Sequence, residues 1–301
     1  MDLIDTLVAN PAVYIGVCAV YGLLIGSFLN VVIHRLPVMM ENELRAECSM
    51  LAATGDMPAS PEAPKRYNLI VPRSACPGCQ APIKAIQNIP VVSWLALRGK
   101  CANCQRPISK RYPLVELATA VLTGFIAWRF GVGATAIAAM VFTWMLIALT
   151  MIDFDTQFLP DALTYPLLWL GLLVSLSNPV WSEGAAPVTP AASIVGATAG
   201  YLSLWSFYWL FKLLTGKEGM GYGDFKLFAA LGAWMGWRML LPVIIFASCV
   251  GALFGIVMIL RRRAGRETQL AFGPFLAIAG WLALVIGNDV VDRYLSLFQA
   301  R

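Results

Sequence analysis

The sequence ATAIAAMVFTWMLIALTMI at residues 134–152 contains no charged residue and is followed at once by Asp153-Phe154-Asp155. A run of this length can cross about 30 Å of hydrocarbon as an α-helix. Comparable runs lie at 12–34, 113–130, 162–178, 190–214, 225–238, 240–260 and 270–288. The whole chain is 59% hydrophobic and 13% charged, with a mean hydropathy of +0.71, which excludes an ordinary soluble protein. We therefore predict an all-α polytopic membrane protein with about eight transmembrane helices, of which 225–238 is the weakest.

The lysines and arginines predict the orientation, because cytoplasmic loops retain positive charge. In an eight-helix arrangement, the 22 basic residues all fall on one side except Arg129, Arg238, Arg293 and Arg301. This pattern predicts a periplasmic N-terminus and a cytoplasmic loop after the first helix. The net charge of +5 then reflects topology and requires no nucleic-acid partner. Lipid is an expected partner because the chain is predicted to be a polytopic membrane protein. No basic residue precedes the first run, so we expect this helix to be retained rather than removed as a signal peptide.

A polar insertion at residues 36–112 separates the first two predicted helices and is too polar to cross a membrane. We therefore expect three parts: helix 1 at 1–35, a small cytoplasmic domain at 36–112 and a seven-helix membrane domain at 113–301. The first part of the insertion, through the Pro- and Ala-rich residues 57–64, is expected to form a loose loop.

The second part of the insertion contains two Cys-x-x-Cys pairs separated by about twenty residues, a spacing typical of a four-thiolate zinc site. A Pro-Ile pair follows each one, which suggests that one short unit is used twice. Disulfides or free thiols are the alternatives, although a cytoplasmic location disfavours disulfides. We expect the metal to stabilise the domain, because no ligand position is left vacant. The predicted zinc ligands are Cys76, Cys79, Cys101 and Cys104.

Two acidic motifs lie at the ends of predicted membrane helices, where an ionisable group is costly unless it faces a cavity or a partner. The first begins at Asp153, and the second reads Gly221-Tyr222-Gly223-Asp224-Phe225-Lys226. Two carboxylates that share one proton can hydrolyse a peptide bond through an activated water. Asp153 and Asp224 are thus the predicted catalytic pair, and the two glycines before Asp224 are expected to let a substrate backbone approach.

Two further acids belong to the first motif. Asp155 lies two residues after Asp153 and points to another face of a helix, which favours a solvated residue or a substrate contact. Asp161 follows Pro160 and precedes the next helix, where an acid can cap the N-terminus or act as an accessory group.

Together these residues resemble the type IV prepilin peptidases, which are Gly-x-Gly-Asp aspartyl proteases of the bacterial inner membrane. The resemblance covers nearly the whole chain. Besides the cysteine and aspartate motifs, it rests on Gly26-Ser27-Phe28-Leu29-Asn30-Val31-Val32-Ile33-His34-Arg35-Leu36-Pro37, Tyr112-Pro113-Leu114-Val115-Glu116 and Phe272-Gly273-Pro274-Phe275.

The family resemblance implies a specific reaction. Such enzymes remove a short basic leader from type IV prepilins or type II secretion pseudopilins. They cut after Gly and before a residue that is usually Phe, at the cytoplasmic face. Members with the cysteine-bearing loop typically also methylate the new N-terminal amine with S-adenosylmethionine. The catalytic pair implied by the resemblance is again Asp153 and Asp224.

Several interpretations stay open at this point. Ser27, Asn30 and His34 form one polar stripe that suits either hydrogen bonding between helices or contact with substrate or methyl donor. Glu116 suits a pair with a basic loop residue or a substrate contact. No Gly-rich loop marks a methyl-donor site. A proton-coupled transporter that uses the same two aspartates is the alternative function.

Overall fold

A computed structural model describes residues 3–53, 67–177, 188–217, 219–261 and 271–299 of this protein. These residues form α-helices, two short 3-10 helices and isolated β-bridges, but no β-strand. In chain order the α-helices are α1 (Leu3–Ala9), α2 (Pro11–Ala53), α3 (Val92–Ala96), α4 (Arg111–Phe130), α5 (Ala134–Thr156), α6 (Asp161–Leu176), α7 (Pro190–Thr215), α8 (Tyr222–Met235), α9 (Leu240–Leu260) and α10 (Gly273–Gln299). The predicted all-α fold class is confirmed.

Each of the eight apolar runs forms a helix, and these are α2 and α4 to α10. The largest difference is in α2, which continues to Ala53 where the sequence predicts an end at residue 34 and a loose loop beyond it. That expectation was wrong for residues 36–53, because Met, Glu, Leu, Arg and Ala predominate there and all favour helices. An ion pair one turn apart, Glu41 to Arg45, adds support. The Pro- and Ala-rich residues 57–64 lie outside the described residues.

Within the described residues, five helices are long and apolar enough to cross a membrane, by length and composition. They are Pro11–Leu51, Arg111–Phe130, Ala134–Thr156, Pro190–Thr215 and Trp237–Leu260, with shorter apolar helices at Asp161–Leu176 and Gly273–Gly287. The remaining predicted span, α8, has 14 residues and rises only about 21 Å. The chain is an integral membrane protein, and α8 is its shortest predicted span.

One compact unit comprises residues 12–125. Here α2 packs closely on α4, because glycines face the second helix. A Cβ on Gly22 would lie 2.8 Å from Thr123 Oγ1, and one on Gly26 would lie 2.7 Å from the Cα of Glu116. Small residues that let two backbones approach are the usual means of packing membrane helices. The expected division of the chain at residues 35 and 112 stays a prediction.

The other compact unit comprises residues 1–11 and 126–301 and is organised around α8. Most of α8 is buried, from Asp224 through Trp234, which is typical of a helix surrounded by protein. Trp234 Nε1 donates to the carbonyl of Leu167 on α6 at 2.8 Å. On the other side, Gly196 of α7 lies against the backbone of Gly232, leaving no room for a side chain. This packing fixes α8, and therefore Asp224, between α6 and α7.

Candidate active site and metal centre

Asp153 lies in the last turn of α5 and is only 4% exposed. The helix ends just beyond it, because Gln157 adopts a left-handed conformation with φ 54° and donates its N–H to the Asp153 carbonyl at 2.8 Å. The side-chain Oδ2 is buried beside the backbone of Gly273, and it accepts no hydrogen bond of good geometry from any described residue. A buried carboxylate oxygen without a partner is costly, and such groups concentrate at functional sites.

Asp224 lies in the first turn of α8 and is 7% exposed. Its backbone N–H donates to the Gly221 carbonyl at 3.2 Å, which closes the turn into the helix. Its carboxylate is close enough to that of Asp153 for the two to interact electrostatically. The structure therefore brings together the two acids singled out in the sequence. Their catalytic role stays a prediction.

Leu159 fills the space between the glycines that surround the pair. A Cβ on Gly223 would lie 2.7 Å from the Leu159 Cβ, and one on Gly273 would lie 3.1 Å from its Cδ1. The Leu159 side chain therefore occupies the Cβ side of Gly223. The expected approach of a substrate backbone beside Gly221 and Gly223 stays a prediction. Gly221 has ordinary extended backbone angles, φ −81° and ψ 151°. Among the described residues other than its chain neighbours, only the Asp224 carboxylate and the Gly223 nitrogen lie within 4 Å of its Cβ position.

The other acids of the first motif have different surroundings. Asp155 is exposed on the opposite side of α5 from buried Asp153, as the helical spacing predicts. Asp161 does not cap α6 through its side chain, since the capping position is Pro160 and no side-chain cap is present. Instead both Asp161 oxygens accept from Lys226 Nζ, at 2.6 and 2.7 Å. Lys226 follows Asp224 by two residues, so this ion pair joins the two acidic motifs.

Three residues of this site were not assigned a local role from the sequence: Leu159, Lys226 and Gly273. Lys226 stands within the second motif, and its charge beside a membrane helix was the available signal for an acidic partner. Gly273 precedes Pro274 at the start of α10, a common arrangement at helix N-termini that does not by itself indicate a carboxylate neighbour. No sequence pattern indicated a role for Leu159 in the site, because that role depends on which glycines the fold places against its side chain.

The four predicted zinc ligands form one cluster in residues 12–125. Their sulfur atoms all lie within 4.8 Å of one another, and Cys76 Sγ lies 3.8 Å from Cys104 Sγ. Four sulfurs around a zinc ion at about 2.3 Å are separated by about 3.8 Å in a tetrahedron, so the cluster suits that metal. The arrangement could bind a metal such as zinc, as the sequence predicts.

The two knuckles have the same backbone structure, 25 residues apart. Cys76 N–H donates to the Ala81 carbonyl at 3.0 Å, and Cys101 N–H donates to the Arg106 carbonyl at 2.9 Å. Gln80 and Gln105 have matching left-handed φ angles of 56° and 58°. These pairs match the expectation that one short unit is used twice.

Backbone N–H groups surround the sulfurs of these knuckles. Gly78 N–H points to Cys76 Sγ at 3.4 Å, and Asn103 N–H points to Cys101 Sγ at the same distance. Backbone hydrogen bonds from Cys79 and Gly78 hold the pKa of the Cys76 thiol below its usual range. These donors favour the thiolate form that binds a metal, and they orient the ligands as outer contacts do in metal sites.

The polar stripe of α2 makes contacts between helices. Asn30 Nδ2 donates to the Tyr112 carbonyl at 3.1 Å, and Ser27 hydrogen-bonds the side chain of Glu116. Glu116 Oε2 also accepts from the Val91 N–H at 2.7 Å. The described partners of buried Glu116 are thus a hydroxyl and a backbone amide, where the sequence suggested a basic residue or a substrate. His34, by contrast, is exposed.

Two family models match the chain. The bacterial peptidase A24 N-terminal domain matches residues 20–130, and the type IV leader peptidase family matches residues 140–256. The chain belongs to the type IV leader peptidase family. The second match includes Asp153 and Asp224, whereas the first includes the four clustered cysteines. The resemblance noted from the sequence motifs is therefore confirmed, and the chain is an enzyme of this family.

Curated relatives named prepilin leader peptidase/N-methyltransferase align over nearly the whole chain. The protein of Aeromonas salmonicida (strain A449) is 54% identical, covering 95% of this chain and 95% of its own. The Pseudomonas aeruginosa protein is 51% identical over 98% of both chains, and that of Stutzerimonas stutzeri is 49% identical over 98% of this chain and 99% of its own. No solved structure gives a significant match.

Proposed function

We propose that this enzyme removes the leader peptide of type IV prepilins and type II secretion pseudopilins, and then methylates the new N-terminal amine. Cleavage follows a Gly and precedes a residue that is usually Phe. The observation that carries the proposal is the pair of buried carboxylates, Asp153 at 4% and Asp224 at 7% exposure, which come from separate motifs and interact. The names and high identity of the relatives support both activities.

In the proposed mechanism, Asp153 and Asp224 share one proton. The ionised carboxylate takes a proton from a water molecule while the water oxygen attacks the scissile carbonyl, and the protonated carboxyl gives its proton to the carbonyl oxygen. The resulting tetrahedral intermediate returns that proton as the C–N bond breaks, and the leaving amine receives the proton that was taken from water. No covalent intermediate forms. The unpartnered Oδ2 of Asp153 supports this role, because it has unused capacity to accept a proton or a hydrogen bond.

The surrounding packing holds the pair in position. The ion pair from Lys226 to Asp161 joins the start of α8 to the start of α6. Leu159 lies between Gly223 and Gly273, so it spaces the α8 and α10 segments that flank the carboxylates. Fixing catalytic groups through such supporting contacts is a general requirement for an effective site.

We also propose that the enzyme lies in the bacterial inner membrane, with its N-terminus periplasmic and its active site open to the cytoplasm. The distribution of lysine and arginine supports this orientation. Its partners are prepilins, pseudopilins and lipid. A prepilin N-terminal helix is itself apolar, so the scissile bond is presented at the membrane boundary where Asp153 and Asp224 lie.

Zinc and S-adenosylmethionine complete the proposal. Cys76, Cys79, Cys101 and Cys104 hold a structural zinc ion that stabilises the small domain. S-adenosylmethionine supplies the methyl group. The transporter alternative has no comparable support, because the chain belongs to a peptidase family.

Mass spectrometry of a purified prepilin tests this function. The prepilin is incubated in detergent with S-adenosylmethionine and wild-type enzyme, Asp153→Asn or Asp224→Asn, with exposed Asp155→Asn as the matched control. We expect leader loss and one added methyl group with wild type and with Asp155→Asn, and no leader loss with the other two variants. Cleavage that survives both substitutions would refute the aspartyl mechanism and bring the transporter to the front, to be tested by proton flux in vesicles.

A further inference from the structure

Leu159 lies in the short connection between α5 and α6, residues 157–160, and is only 4% exposed. The two residues before it, Gln157 and Phe158, are exposed. Short connections usually run over the surface of a protein, so a buried leucine in one of them has a specific packing partner. Here the partners are two glycines that flank the proposed catalytic carboxylates.

The Leu159 side chain contacts the chain segments beside both acids. Its Cβ and Cδ1 lie 2.7 and 3.3 Å from the Cβ position of Gly223, which directly precedes Asp224. The Cβ position of Gly273 lies 3.1 Å from Leu159 Cδ1 and 2.5 Å from Asp153 Oδ2. The end of the leucine side chain and the unpartnered carboxylate oxygen are therefore neighbours of the same point in space.

Hydrogen bonds hold the connection at both ends. At the α5 end, the Gln157 N–H donates to the Asp153 carbonyl at 2.8 Å. At the α6 end, the Pro160 carbonyl accepts from the Leu163 N–H at 3.0 Å, and the proline ring restricts φ, which is −65°. The Leu159 side chain cannot move aside without disturbing the end of one of these helices, so its position is fixed.

The other side of Asp224 has more room. Among the described residues outside the chain neighbours of Gly221, the nearest atom to its Cβ position is Asp224 Oδ2, at 3.8 Å. A substrate backbone can approach on this side, because no other side chain of a described residue lies within 4 Å. Leu159, in contrast, fills the space beside Gly223 and Gly273.

We infer that Leu159 determines the specificity of the cut, by excluding a side chain on the substrate residue whose carbonyl is attacked. This inference rests on the cleavage after Gly proposed above. The scissile carbonyl carbon is bonded to the Cα of that residue at about 1.5 Å, so both must lie beside the two carboxylates. A side chain on this Cα would project towards Leu159, whereas a glycine places only a hydrogen there.

This kind of selection depends on size. Close-packed aliphatic side chains leave little free volume, so an added methyl group is rejected. One methyl or methylene group in an apolar pocket typically changes kcat/KM by about 10–200-fold. Wild-type enzyme should therefore cleave a prepilin with alanine before the cut about tenfold less efficiently, or worse, than one with glycine.

Cleavage of these two prepilins by full-length enzyme in detergent tests the inference. We expect the ratio of kcat/KM for the alanine prepilin to that for the glycine prepilin to rise by about tenfold or more in Leu159→Ala. The physical reason is that the shorter side chain leaves space for the substrate methyl group. The ratio is the appropriate readout, because a general loss of activity lowers both values equally.

Leu146→Ala is the matched control. Leu146 is 3% exposed and lies on α5 about two turns before Asp153, so this variant removes the same atoms from a buried position away from the carboxylates. It should leave the ratio unchanged. Leu159→Val removes a single carbon and should raise the ratio by a smaller factor, which provides a second variant where Leu159→Ala does not fold.

The wild-type enzyme also separates size from backbone conformation. Glycine could be required because it readily adopts left-handed backbone angles, and asparagine adopts these angles more easily than alanine does. A third prepilin therefore has asparagine before the cut. Exclusion by Leu159 predicts that alanine, the smaller residue, is cleaved better than asparagine. Better cleavage of the asparagine prepilin would overturn the inference without any enzyme variant.

Other outcomes are equally decisive. An unchanged ratio in folded Leu159→Ala or Leu159→Val would overturn the inference, as would an equal rise in Leu146→Ala, which would indicate general loosening of the fold. Wild type that cleaves the glycine and alanine prepilins equally well would overturn it too, while leader removal itself would stand. Failure of wild type to cleave the glycine prepilin would instead refute the proposed function, and the inference with it.

Discussion

Lys226 Nζ donates hydrogen bonds to both carboxylate oxygens of Asp161, at 2.6 and 2.7 Å, and so joins the two acidic motifs of the sequence. The side chains of Lys226 and Asp161 are 22% and 45% exposed. A partly exposed pair of this kind contributes up to about 1 kcal/mol. The position of the ion pair matters more than its energy, because Lys226 follows the proposed catalytic Asp224 by two residues and helps to hold that segment in place.

Loss of this ion pair should slow catalysis without abolishing it. We expect Lys226→Gln and Asp161→Asn each to lower kcat about fivefold, with the double variant no worse than either single one, since both remove the same contact. Initial rates of prepilin cleavage provide the measurement. Fully additive losses would show that the two residues act independently.

Gly273 should not tolerate a side chain. A Cβ there would lie 2.5 Å from Asp153 Oδ2, so Gly273→Ala must displace the carboxylate. We expect cleavage to fall by at least a hundredfold while the protein remains folded, because small displacements of a catalytic group are costly. The matched control is Gly133→Ala, where no atom of a described residue other than the chain neighbours lies within 4 Å of the added carbon. Retained activity in Gly273→Ala would argue against Asp153 as a catalytic group.

Removal of one cluster thiol should release zinc. Cys76→Ser is expected to lower the zinc content from about one ion per chain to near zero, and to lower the melting temperature. Cleavage should fall only as far as the fold is lost. Elemental analysis and thermal unfolding give the two readouts, with Cys48→Ser as control because Cys48 lies outside the cluster and is exposed. Active wild-type enzyme without zinc would contradict the metal assignment.

The contact between α7 and α8 should be sensitive to a single methyl group. Gly196→Ala places a carbon against the Gly232 carbonyl, and such overpacking costs about 1–3 kcal/mol. Gly16→Ala has open space around it and lies in α2, so it should be neutral or slightly stabilising. Thermal unfolding in detergent compares the two variants. Equal stability would mean that α7 and α8 are not packed through these glycines.

Local composition and short spacings were enough to predict the class of protein, the eight apolar helices, the cysteine cluster and the proximity of Asp153 and Asp224, whose catalytic role stays a prediction. An uncharged apolar run of 19 residues is typical of a transmembrane helix, and two Cys-x-x-Cys knuckles at this spacing are typical of a zinc site. The spacing of two positions along a helix also distinguishes buried Asp153 from exposed Asp155, because such neighbours point to different faces.

The partners of those residues depend on the tertiary structure. Lys226 contacts Asp161, which is 65 positions away in the sequence, and Gly273 contacts Asp153, which is 120 positions away. No local sequence pattern links either pair. The fold also places Leu159 in the space left by Gly223, and it makes Glu116 accept from a backbone amide. The physical reason is that spacing along the chain determines which side chains share a helix face, whereas packing between helices determines what each face contacts.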